Sequence, residues 1–154
     1  MVPENILSAL KIFYDKISSK QIFWILTGST SLAIQGVDVN INNDIDILTD
    51  KQGSEKIDEL LNGFMLKKSD YSITDKYKSY FGIYQINNVK VEVMGEFQYK
   101  MKDGLWSIPN QRNGFFIKEF EGMNLPMLYL NQELKEYENL DRYDKVEKIR
   151  KVLI

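Results

Sequence analysis

The stretch Leu26–Leu48, LTGSTSLAIQGVDVNINNDIDIL, decides how this chain of 154 residues is interpreted. The run Ile22–Leu26 that leads into it is short, apolar and rich in branched and aromatic residues, which predicts a strand buried on both faces. This strand delivers the chain into Gly28 and Ser29, immediately before a short helix. Backbone N–H groups at a helix start attract phosphate, and a glycine lets an anion approach the backbone closely.

The short helix is predicted over residues 29–35, with Ser29 or Thr30 as its N-cap and Gly36 as its C-terminal stop. The hydroxyls of Ser29 and Thr30 add hydrogen-bond donors at the place where a phosphate would lie. A Gly-Ser pair before a helix is more often a simple cap, so this part alone indicates little about function.

Two aspartates follow on the next predicted strand, residues 44–48. Asp44 and Asp46 are two positions apart, so both carboxylates project from one face about 7 Å apart, while Ile45 and Ile47 point into a core. Two carboxylates held side by side repel each other unless a cation lies between them. Such a pair often lies on a solvated face. A pair that faces a phosphate-binding turn is what metal-assisted phosphoryl or nucleotidyl transfer requires.

The composition restricts the available chemistry. Lys and Arg number 20 against 22 Asp and Glu, a net charge of −2, whereas an extended grip on nucleic acid normally needs a basic surplus. There is no Cys and no His, which excludes thiolate catalysis, sulfur-ligated metals and the usual histidine base. A metal would therefore be a hard ion such as Mg²⁺ or Mn²⁺. No apolar run approaches a membrane span and no signal peptide is recognisable, so we expect a cytoplasmic protein.

The rest of the pattern predicts one α/β (α+β) domain over residues 1–154, with a core at 3–96 and C-terminal strands and helices at 105–154. Apolar residues at helical spacing predict helices in four further segments: 3–18, about 55–61, one that begins at Pro126, and 143–153. Strands are predicted in three further places: a hairpin over 80–96 around Asn87-Asn88, then 105–108 and 115–120.

The order of these features resembles the signature of the DNA polymerase beta-like nucleotidyltransferase superfamily. Residues 26–29 and 44–47 fit its pattern of an apolar residue, Gly, Gly or Ser, a gap, and then Asp-apolar-Asp. The chain is especially similar to small single-domain members, including lincosamide- and aminoglycoside-type nucleotidyltransferases and the minimal enzymes of toxin–antitoxin modules. Neither a P-loop nor a dinucleotide-binding glycine motif is present. The resemblance implies a mixed β-sheet with helices packed mainly on one face and a helical C-terminus.

The resemblance also implies roles for these residues. Gly28 and Ser29, with the Thr30 hydroxyl beside them, would bind the phosphates of an NTP. Asp44 and Asp46 would ligate two Mg²⁺ (or Mn²⁺) ions. A hydroxyl of the acceptor would attack the α-phosphorus in line and expel pyrophosphate.

Two further residues enter through the same resemblance. The segment 141–145 resembles a turn of relatives that brings Lys145 near the nucleotide, although a charged helix N-terminus is the alternative interpretation. Glu92 is the best candidate for a third carboxylate, which would ligate a metal and help to activate the acceptor hydroxyl.

The position of Glu92 can also be predicted from strand parity. Val89, Val91 and Val93 share one face of the strand and should pack against helices, so Glu92 emerges on the side of the paired aspartates. Glu96 keeps this parity but follows a glycine at the end of the regular strand. We therefore expect Glu92 to be the nearer one, within about 6 Å of the Asp46 carboxylate.

Two functions remain open at this stage. The leading hypothesis is a Mg²⁺-dependent enzyme that transfers a nucleotidyl group from an NTP to a hydroxyl of a small molecule or a protein. The alternative is an antitoxin-like or regulatory module of the same fold that binds a partner protein, or a second copy as a homodimer, with weak or no catalysis. An exposed apolar face on the helices at 127–137 and 143–153 would favour the alternative, but these helices can equally fold back on the domain.

Overall fold

The computed structural model describes residues 2–153. Its strands are β1 (Trp24–Thr27), β2 (Asp44–Thr49), β3 (Met65–Ile73), β4 (Tyr77–Ile86), β5 (Val89–Tyr99), β6 (Phe115–Phe120) and β7 (Met123–Leu128). Its α-helices are α1 (Glu4–Ile17), α2 (Gly28–Ile34), α3 (Lys51–Leu60), α4 (Leu130–Asn139) and α5 (Tyr143–Leu153). Two short 3-10 turns cover Asn62–Phe64 and Asn110–Asn113.

All seven described strands belong to one mixed sheet in the order β3-β4-β5-β2-β1-β7-β6. Strand β2 is parallel to β5 and antiparallel to β1, and β7 is parallel to β1. Asp46 on the central strand β2 is therefore paired with Glu92 of β5 on one side and with Thr27 of β1 on the other. Neighbouring strands are about 4.8 Å apart, so this register brings the acidic residues together beside the turn that follows β1.

The predicted alternation along β2 and β5 is confirmed. Ile45 and Ile47, together with the three valines of β5, are fully buried in the main core. Helices α1 and α3 cover this face through five buried residues of α1 and Ile57 of α3. The carboxylates of Asp44 and Asp46 are thereby left on the opposite face.

The C-terminal helices lie beside that opposite face. Tyr137 of α4 and Val146 and Ile149 of α5 form a cluster with Leu32 of α2 and with Val37. A separate small cluster joins Ile25, Leu48 and Leu128 on the same side of the sheet. The apolar faces of α4 and α5 are thus folded back on the domain.

Several predicted elements are confirmed with small changes in length. Helix α1, strand β6 and helix α5 lie where the sequence places them. The β4–β5 hairpin turns at Asn87 and Asn88, which both have positive φ angles of 48° and 64°. Asparagine tolerates this left-handed conformation better than most residues, which explains why two adjacent Asn residues signal the turn.

Two element predictions are wrong. Residues 105–108 do not form a strand: Leu105 and Ile108 are exposed, and the segment contributes a single bridge, from Trp106 to Lys100. Pro126 does not begin a helix but lies inside β7, and α4 begins at Leu130. The apolar run of β7 is buried in the sheet, and this burial outweighs the preference of proline for a first helical turn.

Three boundaries or elements differ from the sequence expectation. Helix α2 begins at Gly28 with Thr27 as its N-cap, so neither Ser29 nor Thr30 caps it. Helix α3 begins at Lys51 because the Asp50 carboxylate accepts a hydrogen bond from the Gly53 N–H and caps it there. Strand β3 was not predicted, since it is a mostly exposed edge strand with few buried apolar residues. Among residues 2–153 no helix has the length and apolar character needed to cross a membrane.

Candidate active site

A cavity of about 450 Å³ opens on the sheet face that carries Asp44 and Asp46. Its acidic end is lined by these two residues, Glu92, and the 27–29 turn. Residues of α4 and α5, among them Glu136 and Lys145, form the facing wall. The remaining wall is made of aromatic and hydroxyl-bearing residues of β3, β4, β5 and the β3–β4 turn, namely Ser72, Thr74, Tyr77, Ser79, Phe81 and Phe97.

The 27–29 turn is held in a conformation that needs a glycine. Gly28 has a φ of +74°, in the left-handed region that disfavours residues with a Cβ. A Cβ placed there would also overlap the carboxylate of Asp46. The Gly28 N–H is not free for a phosphate, because it donates to Glu133 Oε1 at 2.8 Å. Gly28 therefore lets the Asp46 side chain approach the backbone closely, and the hydrogen-bond donors offered to a ligand come from the residues next to Gly28.

Ser29 and Lys145 meet at the mouth of the turn. Lys145 Nζ donates a hydrogen bond to Ser29 Oγ at 2.7 Å, across 116 residues of sequence. Burial and the nearby Arg142 cation hold the pKa of Lys145 below its usual range. The structure thus brings together two of the residues that the sequence assigns to nucleotide binding.

Thr30 lies beneath the turn. Its side chain is buried, and its hydroxyl donates to the backbone carbonyl of Asp44 at 2.9 Å. This contact fixes the start of β2 against α2. A nucleotide contact by Thr30 remains a prediction from the resemblance.

The paired aspartates are electrostatically strained. Burial, followed by the charges of Glu92 and Asp44, raises the pKa of Asp46 to about 7. Burial also raises the pKa of Asp44, an effect that the Lys90 ammonium opposes and Glu92 reinforces. A cation bound between these carboxylates would relieve the repulsion.

Glu92 lies on the predicted face but is paired with a lysine. Its carboxylate accepts from Lys90 Nζ at 3.0 Å on the same strand. Among the described residues, no three acidic, histidine or cysteine side chains lie close enough together to form a metal site by themselves. The alternative, Glu96, has a positive φ of 53°, does not line the cavity, and is bound by Gln111 and Arg112.

Two glutamates of α4, the buried Glu133 and the partly buried Glu136, were missed by the sequence analysis. Glu133 lies under the 27–29 turn, where burial raises its pKa to about 8. Glu136 faces the cavity and accepts from Asn110 Nδ2 at 2.8 Å, and dense packing raises its pKa to about 7. Their spacing of three residues puts them on one face of α4 together with Tyr137, a face that the sequence analysis described by its apolar residues alone.

Comparison with known proteins identifies the fold family. A profile of the aminoglycoside-2''-adenylyltransferase family matches residues 9–151. A candidate nucleotidyltransferase from Thermotoga maritima is 37% identical in sequence, with a TM-score of 0.84 over 99% of this chain and 95% of that chain. Among curated proteins no sequence matches significantly.

Two more distant structures share the fold alone. The lincosamide antibiotic adenylyltransferase LnuA, solved with lincomycin bound, is 13% identical, with a TM-score of 0.60 over 98% of both chains. The antibiotic-resistance factor ANT(2'')-Ia is 10% identical, with a TM-score of 0.59 over 96% of this chain and 80% of that chain. Since the profile covers nearly the whole sequence, the chain belongs to the aminoglycoside-2''-adenylyltransferase family and has a nucleotidyltransferase fold.

Proposed function

We propose that this protein is a Mg²⁺-dependent nucleotidyltransferase that transfers a nucleoside monophosphate, AMP in the first instance, from an NTP to a hydroxyl of an acceptor. The observation that carries the proposal is a single cavity in which Asp44, Asp46 and Glu92 face Ser29 and Lys145. Membership in an adenylyltransferase family supports the choice of ATP as donor. Because nucleoside triphosphates are a cytoplasmic resource, the reaction also favours a cytoplasmic location.

The residues present fit a hard divalent cation. Asp44 and Asp46 supply carboxylate oxygens, which Mg²⁺ and Mn²⁺ prefer, and their mutual repulsion is the condition that a cation relieves. Asp44 and Asp46 are the primary ligands in this proposal, and Glu92 would become a third only after its carboxylate leaves Lys90 and moves towards them. When bound, such an ion polarises phosphoryl oxygens and neutralises charge that develops in the transition state.

The triphosphate is proposed to lie along the 27–29 turn. Lys145 Nζ and the Ser29 hydroxyl already point at each other there, and Arg142 lines the same wall. Lysine is well suited to phosphate as a compact point charge, and arginine adds planar donors. A phosphate oxygen inserted between Ser29 and Lys145 would accept from both of them.

The acceptor is proposed to occupy the aromatic and hydroxyl-lined part of the cavity. A volume of about 450 Å³ lies within the range of small-molecule sites, which favours a small acceptor over a protein. The acceptor oxygen attacks the α-phosphorus, the bond from this phosphorus to the bridging oxygen breaks, and pyrophosphate leaves. The hydroxyl proton passes to a carboxylate of the site, and Glu92 is our candidate.

The regulatory alternative receives less support. Its distinguishing feature would be an apolar face of the C-terminal helices that is open to a partner. In the structure Tyr137, Val146 and Ile149 instead pack against the domain itself. Val152 and Leu153 at the end of α5 are exposed, which leaves a small surface for a partner protein or a second copy.

The test is a titration of ATP, GTP, CTP and UTP, each with and without Mg²⁺, followed by thermal unfolding. A ligand that binds the folded state alone stabilises it by about 2.7 kcal/mol at 100 times its dissociation constant. Pyrophosphate release is then measured with an aminoglycoside and with lincomycin as first acceptors, because related proteins are named for such compounds. Asp15→Asn, an exposed position on α1, is the matched control for Asp46→Asn. No stabilisation by any NTP with Mg²⁺ would contradict the proposal.

A further inference from the structure

A buried glutamate of the C-terminal half holds the 27–29 turn from below. Glu133 Oε1 accepts a hydrogen bond from the Gly28 backbone N–H at 2.8 Å and from the Thr27 hydroxyl at 2.5 Å. Glu133 is 1% exposed, although it lies on the amphipathic helix α4, and it is separated from the turn by more than 100 residues of sequence. This contact ties two distant parts of the chain together at the edge of the cavity.

A carboxylate buried at this position lowers the stability of the fold. Its second oxygen, Oε2, is buried and has no hydrogen-bond partner within residues 2–153. Burial of an ionisable group without full hydrogen bonding costs stability, and an apolar side chain often replaces such a group at no loss. Packing alone therefore does not account for a glutamate at position 133.

What the glutamate fixes is the geometry of the acidic end. Gly28 lies directly against the Asp46 side chain, since a Cβ on Gly28 would come within 3.0 Å of Asp46 Cγ. The residue after Gly28 is Ser29, which is bound by Lys145. A shift of the Gly28 peptide would therefore displace Asp46 and the Ser29 hydroxyl together.

The helical hairpin α4–α5 consequently binds the 27–29 turn through hydrogen bonds at two points. Glu133 of α4 holds Thr27 and Gly28 through an acceptor oxygen, and Lys145 of α5 holds Ser29 through a donor. The two contacts have opposite polarity. Together they leave the Gly28 N–H occupied and the Ser29 hydroxyl aimed at the cavity wall that Lys145 lines.

We propose that Glu133 is a positioning residue for nucleotidyl transfer: its Oε1 holds the Gly28 peptide so that Asp46 and Ser29 are set for metal and triphosphate. The inference rests on the proposed function. It assigns Glu133 no contact with substrate, and it requires an acceptor oxygen at this position rather than a negative charge.

The test compares Glu133→Gln, which keeps an acceptor oxygen, with Glu133→Leu, which removes it. Glu138→Leu is the matched control, since it makes the same change on α4 in an exposed ion pair with Arg150. The first measurement is hydrogen exchange of the Gly28 amide by NMR. The second is binding of Mg²⁺-ATP by calorimetry, with kcat and KM for pyrophosphate release.

Glu133→Leu is expected to speed exchange of the Gly28 amide and to weaken Mg²⁺-ATP binding about tenfold, which is near the upper net value of one hydrogen bond. Glu133→Gln and Glu138→Leu should remain near the wild type in both measurements. If Glu133→Leu fails to fold, Thr27→Val removes the hydroxyl donor from the same contact with little change of shape, and it should weaken binding by a smaller factor.

Three results would overturn the inference. One is an unchanged rate of hydrogen exchange at the Gly28 amide in Glu133→Leu, or, if Glu133→Leu does not fold, unchanged ATP binding in Thr27→Val. Another is a loss of thermal stability in Glu133→Leu with wild-type ATP binding and kcat, which would make the residue merely structural. The third is Glu133→Gln as impaired as Glu133→Leu, which would mean that charge matters rather than the acceptor. Failure of the proposed function is distinct from these, because it would show as absence of ATP binding by the wild type itself.

Discussion

Replacement of Gly28 by alanine tests whether the turn sets the position of Asp46. With φ at +74°, an added Cβ costs about 1–2 kcal/mol from backbone strain alone. That Cβ would also overlap Asp46 Oδ2 and lie 3.0 Å from Cγ and 3.1 Å from Cβ of the same residue. Carbon atoms pack at about 3.5–4.0 Å, so the Asp46 side chain must move by roughly 0.5–1 Å.

Gly36→Ala provides the matched control. Gly36 has a φ of +91°, and apart from its two chain neighbours no described residue has an atom within 4 Å of a Cβ added there. The control therefore carries the backbone strain without the collision. We expect Gly36→Ala to lose about 1–2 kcal/mol of unfolding free energy, and Gly28→Ala to lose more because of the collision. Gly28→Ala should in addition lose about a hundredfold in turnover, because a misplacement near 1 Å can cost that much.

The assay combines urea unfolding with Mg²⁺-dependent pyrophosphate release at saturating ATP. Unfolding of Gly36→Ala measures the backbone strain alone, and the additional loss of stability and of turnover in Gly28→Ala measures the effect of the collision. Equal turnover in Gly28→Ala and Gly36→Ala would refute the reasoning, because it would show that contact with Gly28 does not determine where Asp46 acts.

Three further predictions concern the neighbouring side chains. Asp46→Asn removes a carboxylate whose pKa is raised to about 7 by burial and by Glu92. At pH 8 the free energy of unfolding in urea should therefore rise by about 1–3 kcal/mol, and turnover should fall by a hundredfold or more. Full turnover in this variant would contradict the assignment of Asp46 as a metal ligand. Ser29→Leu should weaken ATP binding, measured by calorimetry, and leave the binding of Mg²⁺ alone unchanged. An ATP affinity equal to that of the wild type would mean that Ser29 has only a structural role at the start of the helix. Glu133 has a folded pKa of about 8, above its ordinary 4.5, so the stability it contributes is complete below pH 4.5 and is lost as the pH rises through 8. The free energy of unfolding of the wild type, measured relative to that of Glu133→Gln at pH 5, 7 and 9, should therefore fall as the pH rises. A difference that stays constant over this range would contradict the raised pKa of Glu133.

The predictable part of the site is the part that local sequence encodes. Gly28, Asp44 and Asp46 lie within one short stretch, and the alternation of Ile45 and Ile47 places the aspartates on one face before any fold is known. The same parity predicts the face on which Glu92 lies, because Val91 and Val93 are fully buried on the other face. Two-residue periodicity is therefore enough to predict the orientation of these carboxylates.

The contacts of the C-terminal half could not be predicted in this way. Glu133 and Glu136 sit among charged residues of α4, and nothing in their spacing distinguishes a buried glutamate from a solvated one. The burial of Glu133 and the partial burial of Glu136 follow from where α4 packs, which depends on long-range contacts. Strand β7 shows the same limit, because Pro126 indicates a helix start locally and is overruled by the sheet.

The charges around the cavity complement a particular kind of ligand. Four carboxylates, those of Asp44, Asp46, Glu92 and Glu136, line the same space as the cations Arg142 and Lys145. A simple anion would be repelled by the carboxylates, and a simple cation would be repelled by the lysine and the arginine. A metal–triphosphate carries divalent cations and phosphate oxygens side by side. It can present its metal to the aspartates and its phosphates to Lys145, and so it complements the negative and the positive charges of the lining at once. For this reason we expect nucleotide and metal to bind cooperatively.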